Sequence, residues 1–185
     1  MKKQWSRALG ACAFSLTLAA SSAQAQLLAN SGFEAGLASW NTSAFLLEGY
    51  DYGVGDTAHS GALAFYGGGV QSPGFLFQSF ATLTGQDYRV SFWVRSDGYT
   101  PNELTVRLNG VTLYTATDDL LHGFQQVQVG FRATGSSTEL RFGIRNDSGF
   151  LWLDDIGVSP VPEPASAALF AIGVAAFAAL RRRNQ

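Results

Sequence analysis

Six arginines stand in residues 26–160, and five of them, Arg89, Arg95, Arg107, Arg141 and Arg145, fall in segments that alternate apolar and polar residues with period two. All five are out of phase with the apolar set, and Trp93 shares the outward phase of Arg89 and Arg95. If these segments are neighbouring strands, guanidinium forks that grip carboxylate or sulfate groups share a face with a ring that stacks on sugars. Trp93, Arg95, Arg107 and Tyr99 are the candidate residues of such a glycan-binding surface, which would suit an acidic exopolysaccharide. Tyr50, Tyr52 and Tyr66 are further stacking candidates. The alternative is a solvated ladder of cross-strand ion pairs, because thirteen acids lie in the same segment and outward arginine is ordinary on a strand.

Signals for catalysis are poor. His59 and His122 show no metal-ligand spacing, and His59 sits in an expected turn, where a structural role is the ordinary one. No nucleophile elbow, phosphate-binding loop or zinc motif is present. Gly67-Gly68-Gly69 reads as a flexible turn, because no strand-to-helix context follows it. The adjacent pairs Asp118-Asp119 and Asp154-Asp155 do not by themselves make a glycosidase, which needs carboxylates on both sides of a scissile bond. The only cysteine, Cys12, lies near the N-terminus, so residues 26–160 hold no disulfide, thiolate zinc site or thiol nucleophile. Six arginines against thirteen acids leave this segment at net charge −7. Such a domain repels phosphate backbones and makes nucleic acid an unsuitable partner, while calcium favours its oxygen ligands.

The elements that must position these groups are strands. Residues 88–95, 104–108, 127–131 and 140–144 alternate cleanly, and Asn109-Gly110 marks a type I′ hairpin leading into 111–114. Residues 45–48, 62–66, 75–80 and 151–158 complete about nine short strands, the pattern of an all-β sandwich. Trp40 and Trp152 are expected in its core, where large aromatics contribute most burial.

Both ends look like processing segments. Lys2, Lys3 and Arg7 precede an apolar stretch at 8–20 and the small-residue site Ala23-Gln24-Ala25, the order of a secretory signal peptide spanning 1–25 and cut before Gln26. A lipoprotein box around Cys12 and a retained anchor are the weaker alternatives, because only a very short apolar stretch separates that box from Arg7 and the apolar run continues past Cys12, while the run as a whole is short for a span. At the other end Pro162-Glu163-Pro164 leads into an apolar run at 165–180 and then Arg181-Arg182-Arg183. The prolines hold an extended spacer. The run covers roughly 24 Å as a helix against a hydrocarbon core of about 30 Å. The arginines would stay cytoplasmic, leaving the β-domain outside.

Residues 161–185 resemble the PEP-CTERM sorting domain. That resemblance implies a Gram-negative bacterium with an exopolysaccharide locus, and an exosortase partner that cuts near Pro162-Glu163-Pro164. It also implies an inner-membrane intermediate held by the helix at 165–180, followed by the cell surface or matrix as destination. A plain C-terminal anchor shares the topology without the cleavage.

Residues 28–158 resemble the jelly-roll carbohydrate-binding modules of families four and nine. The likeness rests on Asn30-Ser31-Gly32-Phe33-Glu34 with Gly36 and Trp40, on His59-Ser60-Gly61, on 88–94, and on Leu153-Asp154-Asp155-Ile156. Phe124 stands where such modules often carry tryptophan. The resemblance implies a jelly-roll β-sandwich with first and last strands side by side. It also implies a structural Ca2+ on Glu34 and Asp154, with Asp155 and carbonyls near Ser60 and Gly61 as further ligands. The expected function is non-catalytic glycan binding at an exported surface; a purely adhesive or structural surface protein and a polysaccharide-degrading enzyme are the alternatives.

Overall fold

A computed structural model describes residues 26–49, 51–118, 122–162 and 182. The expected signal peptide at 1–25, the helix at 165–180, Tyr50, Glu163, Pro164, Arg181 and Arg183 lie outside the described residues. Among those described, no helix is long and apolar enough to cross a membrane.

The described residues form ten strands: β1 (Asn41–Ser43), β2 (Tyr52–Gly55), β3 (Ala64–Gly67), β4 (Gly74–Ala81), β5 (Asp87–Ser96), β6 (Asn102–Leu108), β7 (Val111–Thr117), β8 (Gln125–Arg132), β9 (Ser137–Asn146) and β10 (Leu151–Pro160). They make two five-stranded sheets, ordered β1-β4-β9-β6-β7 and β2-β3-β10-β5-β8, and their ladders are antiparallel. The chain crosses repeatedly between the sheets, which is the jelly-roll arrangement.

Period-two alternation explains which side chains meet. Val90, Phe92 and Val94 of β5 face Leu104 and Val106 of β6 and Leu140, Phe142 and Ile144 of β9 across the sandwich, all fully buried. Phe92 meets Phe142 edge to face at 5.1 Å. At one side Phe33 stacks on Trp40 at 5.4 Å and leans on Phe65 at 5.8 Å. Trp40 is in the core as expected, and its Nε1 donates to the Asn30 carbonyl at 3.0 Å. Burial of each such ring contributes roughly 2–3 kcal/mol.

Four expectations need correction. Residues 45–48 form no strand: Ala44 turns to φ 61°, Leu46 and Leu47 face solvent, and Phe45 swings inward to stack on Tyr52 at 4.7 Å. The neighbouring segments β1 and β2 form instead; they are too short and polar to show a period. Trp152 is not a core residue, because it lies in the outward phase of β10 between buried Leu151 and Leu153. Gly67-Gly68-Gly69 is buried and not a flexible turn. A Cβ on Gly68 would lie 2.0 Å from the Gly149 carbonyl oxygen, so glycine is needed for close backbone approach. Finally β1, the first strand, lies beside β4 in the opposite sheet from β10; it is the preceding segment that runs along β10, with Leu27 donating to the Val158 carbonyl and Ile156 to that of Ser31.

Candidate functional site

The outer face of the first sheet is built by the outward phases of β4, β9, β6 and β7. Register places Phe77 beside Arg141 and Arg141 beside Arg107, with Thr112 next. The adjacent row reads Phe75, Gly143, Thr105 and Thr115, and beyond it Arg145 faces Glu103. Thr105 is only 5% exposed although its phase is outward. Its Oγ1 fills the space over Gly143, where a Cβ would lie 2.5 Å from it, so the taller neighbours on both sides make up the exposed part of this face. The Phe75 ring borders Gly143 closely, since a Cβ there would meet it at 3.2 Å.

Charges on this face are unequal in their partners. Arg141 is gripped by Glu139 through Nε at 2.8 Å and Nη2 at 3.3 Å, and its guanidinium lies 4.3 Å from the Phe77 ring centre and 5.4 Å from that of Phe75. Arg145 bonds to Asp147, whose carboxyl that contact and the Gln71 N–H hold below the usual range. Arg107 Nε is buried without a hydrogen-bond partner.

The second sheet's outer face carries Trp93 and Arg95, so the expected single surface does not exist: Arg107 lies on the opposite side of the sandwich from Trp93. Alternation fixes the side of each strand, but it does not say which sheet a strand joins. The His59 ring covers Trp93, stacked at 3.7 Å, and Phe124 meets His59 edge-on at 5.7 Å. Arg95 lies 5.1 Å from the Trp152 ring centre, with Phe150 and Tyr66 extending the aromatic row. Tyr99 is 60% exposed in the β5–β6 loop, apart from both rows.

Glu34, Asp154 and Asp155 converge on the loop at 59–63. Asp154 Oδ2 accepts from the His59 and Ser60 N–H groups at 2.8 and 3.1 Å, and its Oδ1 from the Asp155 N–H at 2.7 Å. Asp155 meets His59 Nδ1 at 2.7 Å and accepts from the Ser60 hydroxyl at 2.8 Å. Glu34 Oε1 accepts from the Ala62 and Leu63 N–H groups at 2.8 and 3.1 Å. A β-bulge between Asp154 and Gly157, with Asp155 at φ 48°, aims both aspartates at this loop. Burial pushes the Asp154 carboxyl above the usual carboxylate range, outweighing those three donors. Among the described residues its charge has no basic side chain in contact, and the Glu34 carboxylate packs against Gly61 while the Asp154 and Asp155 oxygens lie beside Gly32, so the donor chemistry is the all-oxygen kind a hard cation favours. Among the described residues no three acids or histidines stand at metal-ligand spacing. A cation here would therefore draw most of its oxygens from backbone carbonyls.

Phe75, Phe77, Thr105 and Gly143 escaped the sequence reading as site residues. Residues 75–80 are apolar in both phases, so their pattern marks a strand without telling outer from inner face. Of the sorting residues, Pro162 and Arg182 are described. Pro160 still pairs with Tyr88, and Val161 is held by the Asp87 carbonyl and the Gln86 amide.

Residues 160–183 match the PEP-CTERM protein-sorting motif. No curated protein matches the chain in sequence. Among solved structures, a CBM61 module in complex with β-1,4-galactotriose superposes with TM-score 0.61 at 16% identity, covering 74% of this chain and 99% of that one. A CBM4 module gives 0.55 at 18%, covering 72% and 99%. A cyclase from Fischerella sp. gives 0.57 at 16%, covering 74% and 97%. The chain thus carries a PEP-CTERM sorting motif beside a jelly-roll domain, a fold it shares with carbohydrate-binding modules and with an enzyme.

Proposed function

We propose that this protein is an exported, non-catalytic glycan-binding module, sorted by an exosortase through its C-terminal motif and delivered to the exopolysaccharide layer of a Gram-negative bacterium. One observation carries the binding reading: the outer face of the first sheet, where register sets Phe77 and Phe75 of β4 beside a row of Arg141 and Arg107. Aromatic rings beside convergent hydrogen-bonding groups suit a sugar chain, which offers apolar ring faces and a rim of hydroxyls. The second sheet is the poorer candidate, since His59 already occupies the Trp93 ring face. Absence of catalysis is supported by Glu139 beside these rings, which is engaged by Arg141 and so does not stand free as a proton donor.

A glycan array probed with the purified protein tests this. Binding that is lost in Phe77→Ala and kept in Trp93→Ala supports the first sheet's outer face; the reverse moves the site to the second sheet, and no binding to any glycan overturns the reading. A calcium ion held by Glu34, Asp154 and carbonyls of the 59–63 loop is proposed as a structural cross-link, with no part in sugar contact. Calcium should raise the melting temperature over EDTA, and Glu34→Gln should abolish that rise.

A further inference from the structure

We infer that the outer face of the first sheet recognises an anionic polysaccharide, and that the acidic group of the sugar seats between Arg107 and Arg141. This rests on the glycan-binding reading and narrows its ligand class. Arg107 and Arg141 are direct cross-strand neighbours on β6 and β9, and like charges facing each other across a ladder destabilise a sheet. Arg141 has its counter-ion in Glu139. Arg107 forms no ion pair or hydrogen bond among the described residues, and its Nε is buried with nothing to accept from it. The nearest acid on its own strand facing the same way, Glu103, is four residues along, about 13 Å, and faces Arg145.

A half-buried guanidinium with an unmet donor, on a residue whose cross-strand neighbour is a second arginine, is an unfavourable arrangement for an empty surface and a prepared one for an anion. A carboxylate or sulfate ester between them would accept from both forks and remove their repulsion. The Phe77 ring, already stacked against the Arg141 guanidinium, fixes that fork in place. It lies one strand away from the anion, within reach of the next sugar along the chain. The domain is acidic as a whole, so this attraction is local: it works at contact, and salt weakens it.

The test uses the exported protein, purified in detergent with its tail intact. It is titrated calorimetrically with polygalacturonate and dextran sulfate, and with their uncharged counterparts, methyl-esterified polygalacturonate and dextran. The expected result is binding to at least one charged polymer roughly 10-fold or more tighter than to its uncharged partner, weakening with added salt. That preference should vanish in Arg107→Gln and survive in part in Arg107→Lys, with unchanged melting temperatures showing that both variants fold. Preference for carboxylate over sulfate, or the reverse, identifies the acid. Equal binding to charged and uncharged polymers, or a preference unaltered by Arg107→Gln, overturns the anionic assignment while leaving glycan binding in place. Binding to none of the four, together with a blank glycan array, removes both.

Discussion

Asp154 shows how one side chain can be both held and strained by its surroundings. Three N–H groups converge on it, yet burial still raises its pKa. The native state therefore holds this proton more tightly than the unfolded chain does. The stability the carboxyl contributes is full below the ordinary value of about 3.8 and falls as pH rises through the raised native value. In EDTA, the unfolding free energy of the wild type minus that of Asp154→Asn should decline with rising pH and then level off; urea titrations across the acid range measure it, and a difference that climbs would contradict the burial argument. Asp147 runs the other way. Arg145 and the Gln71 N–H lower its pKa, so its contribution is present above the ordinary carboxylate value and is lost as pH falls through the lowered one.

Hairpins and edge contacts act at the scale of whole elements. The β6–β7 turn places Asn109 at φ 48° and Gly110 at φ 83°, as a two-residue type I′ turn demands. Asn109 also ties the hairpin to β9: its N–H donates to the Glu139 carbonyl at 3.0 Å, and its Oδ1 accepts from the Glu139 N–H at 2.9 Å. Asn109→Val meets positive φ with a β-branched side chain and drops one of these bonds. It should cost about 2 kcal/mol, read from the urea midpoint, whereas Asn109→Gly should cost clearly less. Equal losses in the two variants would show that the turn's φ is not what the residue supplies. The Asn-Gly pair is the part of this hairpin legible in sequence. Its docking on β9 is not, because Glu139 lies thirty residues downstream.

At the scale of the molecule, the two ends of the described domain meet at one place on the sandwich. Leu27 and Pro160 line the same apolar cavity of about 440 Å³, and the Gln26 side chain clamps β10 through the Ile156 carbonyl and the Val158 N–H, each at 2.9 Å. A leader cut before Gln26 and a tail cut near Pro162-Glu163-Pro164 would leave the ladder between them whole. Intact-mass analysis of the surface-released protein should give a chain running from Gln26 to the 162–164 region. A mass that retains the leader, or one that includes 165–185, would remove the sorting proposal. The motif match beginning at residue 160 overlaps a residue still paired in β10, so a cut near Pro162-Glu163-Pro164 would fall close against the folded domain.

Composition and period two settled the class of fold before any contact was known. A strand with one buried face must alternate, and 88–95, 104–108 and 140–144 do so because each lies against the same core. Fixed order along the chain likewise marked the sorting motif, whose recognition is linear. Partnership between strands was beyond reach, since β5 and β6 follow each other in sequence yet enter different sheets. That one fact separates Trp93 from Arg107 and brings Arg107 to Arg141. Local pattern reports which way a side chain points relative to its own backbone; which other side chains it meets is decided by non-local pairing, and the candidate site consists of such meetings.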